Sequence, residues 1–336
     1  MLPGKVPPDV LSKAVFAHLG KKDDSLILGP GLGEDASLIR VGDSIIVAAT
    51  DPITGSMEDI GWLSVHINAN DIATFGVQPR WFLASILLPV GSSESELERI
   101  MLQIDKASQF LGITVAGGHT EVTESVDKPI VAGFMIGLTS EGRYVTSSGA
   151  QPGDHIVITK SVALEGTAIL AVEGASYLSH RISRNLLDEA QKMRDQISVV
   201  KDGVVAFGTG HITAMHDPTE GGFSGGIHEI CDASRVGFEI DVKAIPVEES
   251  TRTICRELSV NELELISSGC MLMTCNPQGS ESVVTSLEEA GIKATIVGKI
   301  TPRIEDRYAI RDATRSPLPR PSTDALWAAL RKVSQT

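Results

Sequence analysis

SIIVAATDPITGSMEDIGWLSVHINANDIATFGVQPRWFLASILLP (44–89) holds two apolar runs around an amphipathic centre. Ser44 to Asp51 and Trp81 to Pro89 are near-continuous in apolar residues, as strands buried on both faces would be. Between them Val65, Ala69, Ile72 and Phe75 fall at helical spacing, while Asn68 and Asp71 stand three apart on another face. The segment therefore reads strand, helix, strand, and its first strand ends in a carboxylate.

The alternation continues on both sides. Ser93 and Glu96 form a capping-box pattern ahead of Leu97, Ile100, Ile104 and Leu111, so a second long helix is expected to stop near Gly112. Strand ITVAGG and the apolar stretch PIVAGFMIGLTS complete the first half, and AQPGDHIVITK is a turn feeding a new strand. A domain boundary is expected near Ala150, dividing the chain into 1–150 and 151–336. The second half offers helices around 165–173 and 183–197, strand GFEIDV, helix STRTICREL, strand CMLMTC, helix SVVTSLEEAG and strand KATIVGKI. Two α+β halves result, with no exact repeat, low-complexity tract or long linker.

Composition narrows the function. A chain of 336 residues with 42% hydrophobic content is ample for two packed cores. Aromatic content of 4% removes the stacking platforms of a single-strand binder, and 43 acids against 29 bases give a net charge of -14. Direct nucleic-acid binding is not expected. No apolar run reaches the roughly 20 residues that span a bilayer, and MLPGKVPPDV lacks the apolar core of a signal peptide, so the expected location is the cytoplasm, away from membranes. Cys231, Cys255, Cys270 and Cys275 form no C-x-x-C pair and read as buried reduced thiols.

One stretch mixes chemistry more densely than any other. MHDPTEGGFSGGIHEIC (215–231) carries Phe223, Ile227 and Ile230 at i, i+4, i+7, so a helix is expected from about Gly222 to Ala233, entered through the turn DPTEGG. Glycines at a helix amino terminus suit a phosphate, because exposed N–H groups and the positive end of the helix dipole face it. A structural glycine turn remains open as a reading. So does a metal cage, although His216 and His228 lack the usual i, i+4 spacing of a zinc pair.

Other acids sit in comparable places. Asp35 lies in GPGLGEDASLI, Asp51 ends a strand and Asp71 lies within NAND. Singly, they read as a loop cap, a turn residue and a solvated helix residue. Together, carboxylates near strand ends and glycine loops are what Mg²⁺ on a polyphosphate requires. AGGHTEV adds an expected glycine turn at Gly117 and Gly118, from which His119, Thr120 and Glu121 could face the same site. His66, beside the apolar stripe, reads as a packed histidine, and Lys5 as a solvated charge or a phosphate contact.

GEDA (33–36), TDP (50–52), NAND (68–71), GGHTEV (117–122), DPTEGG (217–222) and ELELISSG (262–269) occur in an order that resembles the superfamily of aminoimidazole ribonucleotide synthase and the hydrogenase maturation protein HypE. Thiamine-monophosphate kinase and selenophosphate synthetase resemble it too. LELISSG with DPTEGG is most similar to HypE and its archaeal HypE-like relatives. The resemblance implies a two-domain PurM-like α+β fold, an amino-terminal sheet that pairs with a second subunit into a dimeric barrel, and ATP with Mg²⁺ as cofactors. It implies Asp35, Asp51 and Asp71 as metal and phosphate carboxylates, and Asn70, Gly117, Gly118 and Thr120 as nucleotide contacts. Asp217 to Gly222, with Gly221 and Gly222 as ligand-binding glycines, would be the turn that closes over substrate. His119, Asp217 and Glu220 are the candidates for the base that takes a proton from an activated amide.

Departures from the family pattern matter. His119 stands where these families have an acid, which displaces one metal ligand or passes its role to Glu121. Glu220 stands where HypE has arginine. The last cysteine is Cys275 and the sequence finishes RKVSQT, so the self-directed chemistry of HypE on a carboxy-terminal cysteine is not expected. The resulting expectation is a HypE-like ATP- and Mg²⁺-dependent phosphoryl-transfer enzyme acting on a small molecule or partner-protein group. A small-molecule kinase and a non-catalytic nucleotide-binding maturation scaffold are the alternatives.

Overall fold

A computed structural model of the chain describes residues 6–54 and 58–334; Lys5 lies outside them. The chain forms two compact units. One consists of residues 23–29 and 35–144, the other of residues 30–34 and those from 145 onward, together with the segment before residue 23 that carries helix α1 (Pro8–Ala14).

The smaller unit is a six-stranded sheet covered by two helices. Strands β1 (Leu26–Leu28), β2 (Ser37–Val41), β3 (Ser44–Ile53), β4 (Pro79–Pro89), β5 (Thr114–Thr123) and β6 (Ile130–Thr139) lie in the order β1-β2-β3-β6-β4-β5. Only β4 and β5 are parallel, because helix α3 (Glu94–Leu111) makes the crossover between them. Ser93 caps α3 by accepting from the Glu96 N–H, and Gly112 ends it in the left-handed conformation. Helix α2 (Ile60–Ala73) packs between α3 and strands β3 and β6, with thirteen of its fourteen residues buried.

One expectation needs correction here. Strands β3, β4 and β6 alternate between buried and partly exposed positions rather than being buried on both faces. Val47, Phe82, Ile86 and Met135 lie under the helices. The opposite face carries residues such as Ile46, Leu83 and Phe134, and Phe134 is 38% exposed. Both helices follow strands of the same sheet onto one face and cover that face. The second correction concerns Gly117 and Gly118. They do not form a turn; β5 runs through them to Thr123, paired with β4, and it is an exposed edge strand.

The larger unit holds strands β7 (His155–Thr159), β8 (Ile212–His216), β9 (Gly237–Asp241), β10 (Leu272–Cys275), β11 (Ala294–Thr301), β12 (Arg307–Arg311) and β13 (Thr314–Pro317). Their order is β13-β12-β9-β11-β7-β10-β8. Its helices are α4 (Leu164–Glu173), α5 (Ala175–Leu178), α6 (Arg184–Lys192), α7 (Val200–Gly208), α8 (Gly222–Ser234), α9 (Glu249–Leu258), α10 (Ser280–Glu289) and α11 (Ala325–Ser334). Helix α8 lays Phe223, Ile227 and Ile230 against Ile156, Ile158, Phe238 and Leu272. Each such side chain contributes roughly 1.5–3 kcal/mol by leaving water. A second cluster gathers Leu170, Leu187, Ile254 and Leu326 from α4, α6, α9 and α11. No helix among the described residues is long and apolar enough to cross a membrane.

Candidate functional site

In the smaller unit the TDP and NAND motifs meet. The Asn68 side chain clamps the backbone of Asp51 on both sides: its Oδ1 accepts from the Asp51 N–H at 2.8 Å, and its Nδ2 donates to the Asp51 carbonyl at 3.1 Å. Nδ2 also donates to Ser64 O one helical turn back. The clamp requires a glycine beneath it. A Cβ on Gly133 of β6 would lie 2.3 Å from Asn68 Nδ2, a separation no packed atom tolerates. Helix α2 is thereby registered against the sheet at Asp51.

Asp71 follows Asn68 by three residues and is 6% exposed, which removes the solvated-helix reading. Asn70 is buried beside it. The ladder that pairs Ser37 with Ala48 and Leu38 with Val47 carries Asp35, two residues before β2, to the level of Thr50 and Asp51. Asp35 and Asp51 therefore share one end of the β2–β3 ladder.

A single row crosses the sheet from Asp51 through Gly133 and Ala84 to Gly118. Three strand spacings separate its ends, about 14 Å. One ion cannot be held at both ends within a chain. His119 and Glu121 lie just past Gly118 and bond to each other at 2.9 Å, Nε2 to Oε2, on the exposed edge. Because β5 is a strand there, Thr120 projects to the opposite face, so His119, Thr120 and Glu121 do not share one side as expected from a turn.

In the larger unit, β8 delivers His216 and Asp217, both 1% exposed, into DPTEGG. His216 Nε2 meets Glu229 Oε2 of α8 at 2.8 Å. His228 instead places Nε2 2.9 Å from the Leu318 carbonyl and stacks edge-on against Phe238. Burial holds its pKa below the ordinary histidine value. The two histidines thus have separate protein partners, which disfavours a shared zinc.

The amino end of α8 is closed by the protein itself. The Gly221 N–H donates to Asp324 Oδ2 at 2.7 Å, and the Gly222 N–H donates to Thr219 O at 2.9 Å. Gly222 has φ 60°, and a Cβ there would meet the Leu265 carbonyl at 2.5 Å, so the ELELISSG loop packs directly on the turn. Around it gather acids. Burial raises the Glu165 carboxyl to about 7, opposed by the Ser268 hydroxyl and reinforced by the charges of Glu220 and Asp324. Burial also raises Asp324 to about 6 despite backbone donors from Leu326, Gly221 and Ile266. What the turn can offer chemically is the carboxylates of Asp217 and Glu220 more than free N–H groups.

Sequence reasoning missed Asn68, Glu165, Glu229 and Asp324. Asn68 was visible within NAND, and Asp324 in TDALWAAL had the form of a helix cap. Glu165 and Glu229 gave no local signal. The four cysteines are buried, with their thiols pushed up to about 12 by desolvation, which makes them poor nucleophiles.

Known proteins share this fold. Residues 33–139 match the family model "AIR synthase related protein, N-terminal domain", and residues 151–309 match "AIR synthase related protein, C-terminal domain". The carbamoyl dehydratase HypE of Rhizobium leguminosarum bv. viciae is 30% identical, over 84% of this chain and 80% of that protein. A putative hydrogenase expression/formation protein of Methanocaldococcus jannaschii is 27% identical over 89% and 88%, and the thiamine-monophosphate kinase of Archaeoglobus fulgidus 27% over 69% and 74%. Among solved structures, HypE in a HypE–HypF complex superposes with TM-score 0.76 at 22% identity, over 93% of this chain and 99% of that one. HypE in complex with ATP gives 0.70 at 22%, over 96% and 97%. These structural likenesses carry the two-domain PurM-like fold.

Proposed function

The chain belongs to the HypE family of AIR synthase related proteins, and from that premise we propose that it is an ATP- and Mg²⁺-dependent enzyme of hydrogenase maturation that activates an amide or carbonyl oxygen of an external acceptor. The observation that carries this reading is the Asn68 clamp, which brings the TDP and NAND motifs to one place on the sheet. The relatives named for carbamoyl dehydration and the HypE structure with ATP support the nucleotide and the reaction class.

By ligand type the proposed donors suit the metal. Asp35, Asp51 and Asp71 offer hard oxygens, which suit Mg²⁺ and not a soft ion. Bound there, Mg²⁺ and ATP would supply the γ-phosphoryl group and neutralise its charge. Asn68 holds the backbone of Asp51 in place by bonding both its N–H and its carbonyl. Asn70, Gly117, Gly118 and Thr120 are the proposed nucleotide contacts. His119, oriented by Glu121 through a 2.9 Å contact, can accept a proton at its other ring nitrogen. Asp217 and Glu220 are the proposed base candidates on the acceptor side, with Gly221 and Gly222 shaping their turn.

The acceptor is external because the four cysteines are buried and held as thiols. The uncovered apolar face of the sheet supports a homodimer in which a second copy of β3, β4 and β6 supplies the missing cover. γ-Labelled ATP incubated with the chain and a carbamoylated acceptor tests the function. Phosphate release that depends on acceptor is the expected result. A stable phosphorylated product would shift the reading to a kinase, and tight binding without turnover to a maturation scaffold.

A further inference from the structure

Residues 318–324 pack along helix α8. Leu318 O receives His228 Nε2 at 2.9 Å, and Arg320 reaches Asp232 Oδ2 at 2.6 Å while Arg307 holds Oδ1 of the same carboxylate at 2.6 Å. At the other end, a Cβ on Gly221 would touch Pro321 at 3.9 Å. The strap finishes at Asp324, whose Oδ2 takes the Gly221 N–H and whose Oδ1 takes the Leu326 N–H, both at 2.7 Å. The Ile266 N–H is a further donor to it. One carboxylate, 3% exposed, thus ties together three segments: the DPTEGG turn, the ELELISSG loop and the start of α11.

We infer that Asp324 is a positioning residue for the proposed reaction: from the carboxy-terminal strap it fixes the DPTEGG turn, and through it the carboxylates of Asp217 and Glu220. The inference rests on the function proposed above. A buried ionised group is costly, and backbone donors from three segments offset part of that cost. The effect of Asp324 passes through the turn.

Hydrogen exchange on ligand-free protein, compared between wild type and Asp324→Asn, reads the anchor directly. Exchange at the Gly221 amide should accelerate about tenfold or more, since a charge-assisted bond is lost, while amides of α3 in the other unit stay unchanged. In turnover assays the same variant should lose kcat about tenfold with the KM for ATP within about twofold, because the nucleotide is held by residues 35–121. Should Asp324→Asn fail to fold, Arg320→Ala releases the strap at its exposed end and should speed Gly221 exchange by a smaller factor. Unaltered Gly221 exchange in the folded variants overturns the anchor. Equal losses of kcat and ATP affinity overturn the positioning role and leave a general structural one. A wild-type chain that never turns over ATP sinks the proposed function instead, and the exchange result still decides the anchor.

Discussion

Glu165 is a carboxyl that the fold holds away from water at a cost. Burial raises its pKa from the usual 4.5 to about 7, so the folded protein binds its proton more tightly than the unfolded chain does. The associated stability is present below pH 4.5 and is lost as pH rises through about 7. The shift corresponds to about 3 kcal/mol. Glu165→Gln keeps the neutral shape, so in urea unfolding at pH 8 the variant should be more stable than wild type by up to about 3 kcal/mol, with the gap closing near pH 4.5. A variant less stable than wild type at pH 8 would mean that the ionised carboxylate has a compensating partner in the fold. The same scale shows what sequence spacing can and cannot carry. Asp35, Asp51 and Asp71 stood out because each interrupts an apolar or glycine-rich pattern. Glu165 and Glu229 sit on helices where a glutamate is ordinary, and only the folded chain brings Ser268 or His216 to them.

At the scale of elements, helix α2 is placed by a contact between one side chain and one missing side chain. Gly133→Ala inserts a methyl 2.3 Å from Asn68 Nδ2 and 2.8 Å from the Phe82 ring, so either the clamp or the packing must give. The substitution should cost about 2 kcal/mol of stability by urea unfolding. It should also weaken Mg·ATP binding, because Asp51 loses its restraint. Stability unchanged from wild type would show that α2 has room to shift. Elements with strong period were legible: β3, α2, β4 and α3 fall where apolar spacing and the Ser93 cap put them. β5 was not, because Gly117 and Gly118 carry the local signature of a turn while nine paired positions with β4 keep the backbone extended. Strands β12 and β13 and helix α11 passed unread, since RYAIR and TRSP have little apolar alternation and the segment before α11 gains its order from α8.

For the whole molecule, the apolar face of the smaller sheet and the carboxylate set lead to two expectations. Light scattering at micromolar concentration should return the mass of a dimer, because a face carrying Ile46, Leu83 and an exposed Phe134 gains cover from a second copy. A monomer would remove the support for shared cover. On the proposed function, residues of TDP and NAND hold ATP through Mg²⁺. Titration calorimetry of Mg·ATP into wild type and Asp71→Asn tests it most directly, since the substitution keeps the buried shape and deletes one charge. A folded variant with affinity reduced about tenfold or more, equivalent to about 1.4 kcal/mol, is the expected result. Equal Mg·ATP affinity in a folded Asp71→Asn protein would contradict it.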